Sequence, residues 1–267
     1  MLLWLLLAVA LGIFIAISFI EDEESELMAL KKAGFRETLT KIAESEEILP
    51  DSLTVLALND SLVSGDSVSN HGGVSPVILE PDTTVKQIFI FGDSMTILIA
   101  ARLAAYGRQN GYKVSSLTWD SSSTVIWSNS DTIEKYMKEI NPDFVMITLG
   151  SNELFLQHFE SRKPNVKKII DKLAGIPFIW IGPPNWKEDK GFNDMMESVL
   201  PRGTYFRTEG MELDRGPDHV HPTRRAGALW ADSVMRWIVK SPHPIRAEIP
   251  DSSIGSPRFD SHYIKAH

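Results

Sequence analysis

The sequence contains no cysteine. Disulfide scaffolds, zinc–thiolate centres and thiol nucleophiles are therefore excluded. Basic charge is also scarce: 27 Lys and Arg stand against 35 Asp and Glu, a formal net charge of -8. A sequence-independent nucleic-acid binder needs a basic face, so no nucleic-acid partner is expected. Neither Gly-x-Gly-x-x-Gly nor Gly-x-x-x-x-Gly-Lys occurs, which leaves dinucleotide and NTP binding without support. Gly-x-Ser-x-Gly is missing too, so the nucleophile elbow of the α/β-hydrolase fold is not indicated.

The first twenty residues lack charge of either sign. As a helix rising about 1.5 Å per residue they would span roughly 30 Å, the thickness of a bilayer core. Residues 1–20 are therefore expected to form a transmembrane anchor, giving the chain a membrane partner. The competing expectation is a cleaved signal peptide. Ala16-Ile17-Ser18 loosely fits a cleavage site, but the positive flank is missing and the apolar run is long. Lys31-Lys32 mildly favours the wrong orientation for an exported domain.

Composition then changes in steps. Residues 21–49 place Leu27, Leu30, Phe35, Leu39, Ile42 and Ala43 at nearly helical spacing, which predicts a solvated helical stalk too short in pattern for a coiled coil. Residues 50–84 are rich in Ser, Asp, Gly and Val without a period and read as a linker, with a short strand possible at 52–58. From Val85 to Lys240 strands and helices alternate. Strands are expected at 85–91, 112–119, 143–149 and 177–181. Helices are expected at 95–109, stopping at Gly111, at 131–140 with Asp131 as N-cap, and at 163–173, 191–200 and 222–240. The tail, 241–267, holds Pro242, Pro244, Pro250 and Pro257 and is expected to lack regular structure. The alternation implies α/β architecture: three layers, α/β/α, around a mainly parallel sheet, preceded by the transmembrane helix. Ligands of such sheets sit beyond the carboxyl ends of the strands.

Three polar stretches fall at such positions or ahead of the last helix. Gly92-Asp93-Ser94 ends the first strand, where a helix N-terminus offers free N–H groups to an anion. The commonplace role of such an Asp-Ser pair is to cap the helix. Gly150-Ser151-Asn152-Glu153 ends the third strand, and Asn152 has a side-chain N–H to offer an oxyanion, although turns use the same residues. Asp218-His219-Val220-His221 supplies a carboxylate and an imidazole three residues apart, the components that activate a serine. The same residues also occur in surface loops, and Asp218, His219 and His221 could ligate a metal, although no His-Glu-x-x-His accompanies them.

Together, Phe91-Gly92-Asp93-Ser94, Gly150-Ser151-Asn152-Glu153 and Asp218-His219-Val220-His221-Pro222 resemble, in order, the first, third and fifth blocks of the SGNH (GDSL-type) hydrolases. The resemblance spans about 85–240. It implies Ser94 as nucleophile, His221 as base and Asp218 as its partner, with Asn152 and the Ser94 N–H lining an oxyanion hole. It calls for no metal and no organic cofactor. The family's second block carries a glycine whose N–H joins the hole. Here the segment is Asp120-Ser121-Ser122-Ser123-Thr124, and Ser122 is the best positional match. Any residue but proline offers an N–H, but a loop needing positive φ favours glycine.

Trp119, Trp127 and Trp186 fall near strand ends, where they would either stack on sugar rings or pack in the core. Arg202, Arg207 and Arg215 precede the Asp/His block and would either meet an anionic substrate or sit solvated on the surface. The expected function is a serine esterase that removes acyl groups, O-acetyl above all, from a cell-envelope or exported polysaccharide. The expected partner is thus an acylated carbohydrate or other ester, and the expected address is the periplasm or extracellular space. Alternatives are an O-acetyltransferase with the same triad, a lipase or thioesterase, and a non-catalytic carbohydrate-binding module.

Overall fold

The computed structural model describes residues 79–251 and 258–266. The expected anchor, the stalk and nearly all of the linker lie outside them. Among the described residues no helix is long and apolar enough to cross a membrane.

Among the described residues six strands form one sheet: β1 Gln87–Gly92, β2 Lys113–Trp119, β3 Phe144–Thr148, β4 Phe178–Ile181, β5 Tyr205–Phe206 and β6 Asp260–Ile264. Their order is β5-β4-β3-β1-β2-β6, and every neighbouring pair is parallel. Among the described residues the α-helices are α1 Thr96–Asn110, α2 Thr124–Asn129, α3 Thr132–Ile140, α4 Lys163–Asp171, α5 Phe192–Val199 and α6 Arg224–Ile238.

Side chains alternate across a strand, so the continuous apolar run of β1 feeds both faces of the sheet. Ile88 and Ile90 join Ile99 and Leu103 of α1 and Trp230 and Val234 of α6 in one core. Phe89 and Phe91 point the other way, to Trp127 of α2, Ile133 of α3, Ile169 of α4 and Phe192 of α5. This is the three-layer arrangement that the strand–helix alternation predicts. Each fully buried side chain of Ile, Leu or Phe size contributes roughly 1.5–3 kcal/mol before chain entropy is counted.

Two expectations fail at the ends of elements. Asp131 precedes α3, but its side chain makes no capping bond. Thr223 does cap α6, accepting the Ala226 N–H at 3.2 Å, one residue after the expected start at Pro222.

The tail is the larger correction. Residues 241–267 are not without regular structure, because β6 lies within them and adds to the β2 edge, from Ser115↔Asp260 to Trp119↔Ile264. Every proline of the tail precedes it. Ile264 packs towards the second core, and the His262 ring meets Tyr136 edge-on at 5.0 Å. The sheet thus extends beyond the expected boundary at Lys240.

Chain direction across the sheet reverses at β1, which lies between β2 and β3. The crevice beyond the ends of β1 and β3 is therefore the switch point at which open α/β sheets bind ligands.

Candidate active site

At their carboxyl ends β1 and β3 pair Gly92 with Thr148. A Cβ on Gly92 would lie 1.7 Å from the Thr148 carbonyl oxygen, so no larger residue fits there. The Asp93 N–H continues the contact to that same oxygen at 3.0 Å. Gly150 opens the facing turn at φ +131, and a Cβ there would meet the Phe192 ring at 2.4 Å.

Asp93 ties the two turns together. Its Oδ1 accepts the Met95 N–H at 3.0 Å. Its Oδ2 accepts the N–H of Gly150 at 3.2 Å, the N–H of Ser151 at 3.1 Å and the Ser151 hydroxyl at 2.8 Å. Burial pushes the Asp93 carboxyl above its ordinary range, and these four donors pull against that shift. Asp93, not Ser94, thus holds the turn that leads into α1, whose N-cap Met95 makes no side-chain capping bond. This arrangement frees Ser94 Oγ to face elsewhere.

It faces His221, whose Nε2 lies 2.8 Å from it. His221 Nδ1 in turn lies 2.6 Å from Asp218 Oδ2. Asp218 Oδ1 accepts the N–H groups of Val220 and His221, each at 3.0 Å, which folds the loop so that carboxylate and ring meet three residues apart. Burial alone would raise the Asp218 pKa, but the His221 ring and the two backbone donors bring it down to about 2. An ionised carboxylate only accepts, so the proton of a neutral imidazole lies on Nδ1 and the Nε2 lone pair faces the serine hydroxyl. His219 takes no part. It is exposed, at φ 56, and its N–H closes a turn onto Gly216.

The opposite wall is assembled from distant segments. Asn152 Nδ2 donates to the Ser122 carbonyl at 2.9 Å, which fixes the amide and leaves its second N–H to donate. Among the described residues the Ser94 N–H meets no acceptor. Ser122 behaves otherwise than expected. Its N–H turns back to the Trp119 carbonyl at 3.3 Å, and its hydroxyl donates to that oxygen at 2.7 Å while accepting Trp127 Nε1–H at 2.8 Å. It is fully buried, so it orients Asn152 and does not present an N–H to a ligand. The positive φ of this loop falls one residue earlier, at Ser121 (φ 56).

Sequence reasoning gave Glu153 no role, yet it is buried and its Oε1 accepts both the N–H and the hydroxyl of Thr124. It thereby anchors α2, which follows the Ser122 loop, to the Asn152 turn. Arg162 Nε lies 3.4 Å away, near enough for attraction but without hydrogen-bond geometry. Burial pushes the Glu153 carboxyl up to about 7, against the Thr124 bonds and Arg162. The only sequence signal for this carboxylate was its place beside Asn152.

The three tryptophans separate. Trp127 is 0% exposed and cannot touch a substrate. Trp119 is half-buried and stands edge-on to Trp127 at 5.4 Å. Trp186 is half-buried at the site. Its N–H donates to the Ser151 carbonyl at 2.9 Å and Lys187 Nζ lies 4.8 Å from its ring centroid, so that face is covered. Of the arginines, Arg202 is exposed and Arg207 is held by Asp194, Glu197 and Glu209. Arg215 alone lies against the Asp/His loop.

No protein-family model matches the chain, and no curated protein matches it. Four solved chains match it in structure. One of them, described as "a putative lipolytic protein of G-D-S-L family" from Desulfitobacterium hafniense DCB-2, is 14% identical, with 57% of this chain and 99% of that chain covered and a TM-score of 0.40. What the site can do follows from its own geometry.

Proposed function

We propose that the chain is a serine esterase of the SGNH (GDSL) type. The observation that carries this reading is the line from Asp218 through His221 to Ser94, with contacts of 2.6 and 2.8 Å. Ser94 Oγ attacks the ester carbonyl as His221 Nε2 takes its proton. Asp218 holds the ring and stabilises the imidazolium. The Ser94 N–H and the second N–H of Asn152 receive the oxyanion, each such donor being worth roughly 3–4 kcal/mol in the transition state. His221 then protonates the leaving alcohol and afterwards activates the water that releases the acid. Every step uses side chains and backbone of the chain itself.

The substrate proposed is an O-acetyl group on an envelope or exported polysaccharide, with the domain held outside the cytoplasm by residues 1–20. That address rests on the uncharged N-terminal run, and fractionation of cells expressing the full chain tests it. A second reading, a carbohydrate-binding module without turnover, is favoured by the inward N–H of Ser122, which leaves the hole with fewer donors than the family pattern. Hydrolysis of p-nitrophenyl acetate decides between them. Turnover by the wild type that Ser94→Ala abolishes supports the esterase, and equal rates in both proteins refute it.

A further inference from the structure

Arg215 has an unusual position for a cation. It is half-buried beside the Asp/His loop, and the carboxylate that acts on it, Asp218, attracts it without closing a salt bridge. Its guanidinium instead reaches two backbone carbonyls on different segments. Nη1 donates to the Val220 carbonyl at 2.7 Å, and Nη2 donates to the Asn185 carbonyl at 3.0 Å. Val220 immediately precedes His221, and Asn185 immediately precedes Trp186.

These two bonds close a circuit around the nucleophile. Trp186 Nε1–H donates to the Ser151 carbonyl at 2.9 Å, and Ser151 Oγ donates to Asp93 Oδ2 at 2.8 Å. Asp93 adjoins Ser94, and Ser94 Oγ meets His221 Nε2. The loop that follows Arg215 is itself closed at its base, because the Gly216 N–H donates to the His221 carbonyl at 2.8 Å and Arg215 bridges Pro222 in antiparallel fashion. Thus the histidine wall and the oxyanion wall, which share no strand, are joined at the nucleophile and again through Arg215.

From this geometry we infer that Arg215 is a positioning residue. Its fork clasps the His221 segment to the Asn185–Trp186 segment and holds the base in register with the Asn152 turn. This deepens the esterase reading and rests on it for the kinetic consequence. Lysine cannot replace it, since a single ammonium lacks the planar pair of donors that spans two carbonyls. Misplacing a reacting group by about 1 Å costs on the order of 100-fold in rate. Arg215→Ala should therefore lower kcat by about 100-fold with KM within about threefold of wild type, the signature of lost transition-state alignment.

The test combines Arg215→Ala and Arg215→Lys in the full chain, each confirmed folded by circular dichroism. Two quantities are measured: ester hydrolysis with and without added guanidinium chloride at low millimolar concentration, and hydrogen exchange of the Trp186 indole N–H by NMR. The expected result is a fall in kcat in both variants, partial recovery of Arg215→Ala with guanidinium, and faster indole exchange in both, with His219→Ala unchanged as control. Wild-type kcat in Arg215→Ala, or a loss in KM alone, overturns the inference. If the wild type hydrolyses no ester, the proposed function fails instead. Indole exchange then decides this inference by itself: faster in the variants upholds it, and unchanged refutes it.

Discussion

The two walls that meet at Ser94 are built in opposite ways. The histidine wall is local. Asp218, Val220 and His221 lie within one loop, and the Asp218 carboxylate organises that loop by accepting two of its own N–H groups and the ring. The oxyanion wall is non-local. Asp93 reaches Ser151, Asn152 reaches Ser122 and Glu153 reaches Thr124, so three distant segments are cross-linked by buried and half-buried polar groups. A local wall is set by a few residues and fails all at once when one is lost. A cross-linked wall shares its geometry among many groups and degrades in steps.

The largest effect should come from the local wall. His221→Ala should lower kcat by on the order of 10^6-fold, the loss typical of removing either the serine or its base, while the thermal midpoint moves little. Hydrolysis of p-nitrophenyl acetate in parallel with a thermal melt checks this, and a His221→Ala protein with half the wild-type rate would break the division between the walls. Asp218→Asn keeps the shape of the loop but fixes the wrong tautomer, and should cost about 10^4-fold in kcat. The oxyanion wall should yield less: Asn152→Ala should cost about 10^2–10^3-fold in kcat, with KM nearly unchanged. Ser122→Gly should cost less than Asn152→Ala, about tenfold in kcat, because it keeps the backbone but removes the hydroxyl that accepts the Trp127 indole N–H and braces the loop behind Asn152. A loss in Ser122→Gly larger than that in Asn152→Ala would show that the loop serves the site by more than its hold on the Asn152 amide.

The non-local wall should also show itself in stability. Glu153 is held at about 7, above its ordinary 4.5, so between these values the folded chain keeps a proton that the unfolded chain has released. Its stabilising contribution is fully present below the lower value and is lost as pH rises through the upper one. Melts at about pH 5 and about pH 8 should therefore show the wild type losing more of its midpoint than Glu153→Gln does. Identical slopes in the two proteins would remove Glu153 from the account of this wall.

The same contrast explains how much of the molecule was legible in its sequence. Asp218 and His221 were readable because three residues separate them and both serve one loop. Ser94 was readable only in context: Gly-Asp-Ser occurs at 65–67 as well as at 92–94, and only the second follows an apolar run long enough for a buried strand. Its commonplace role as a helix cap falls away because the N-cap position of α1 falls on Met95 and no side chain caps the helix. Ser122 was misread because the direction of an N–H depends on the turn that contains it, and that turn is set by Trp119 and Trp127. The work of Asp93 and Glu153 appears only once β1 and β3 lie side by side. Strand–helix alternation revealed the core of the sheet. It missed α2, six residues long, and β5, two residues long, because neither completes a pattern. It missed β6 because prolines dominate the tail that carries the strand.

The central claim is that His221 activates Ser94, and reaction with a fluorophosphonate tests it without knowledge of the natural substrate. Labelled wild-type, His221→Ala and His219→Ala proteins would be digested and the modified peptide identified by mass spectrometry. The expected result is one adduct, on Ser94, formed at equal rates in the wild type and His219→Ala and absent from His221→Ala. An unlabelled wild type, or undiminished labelling of Ser94 in His221→Ala, would contradict the claim.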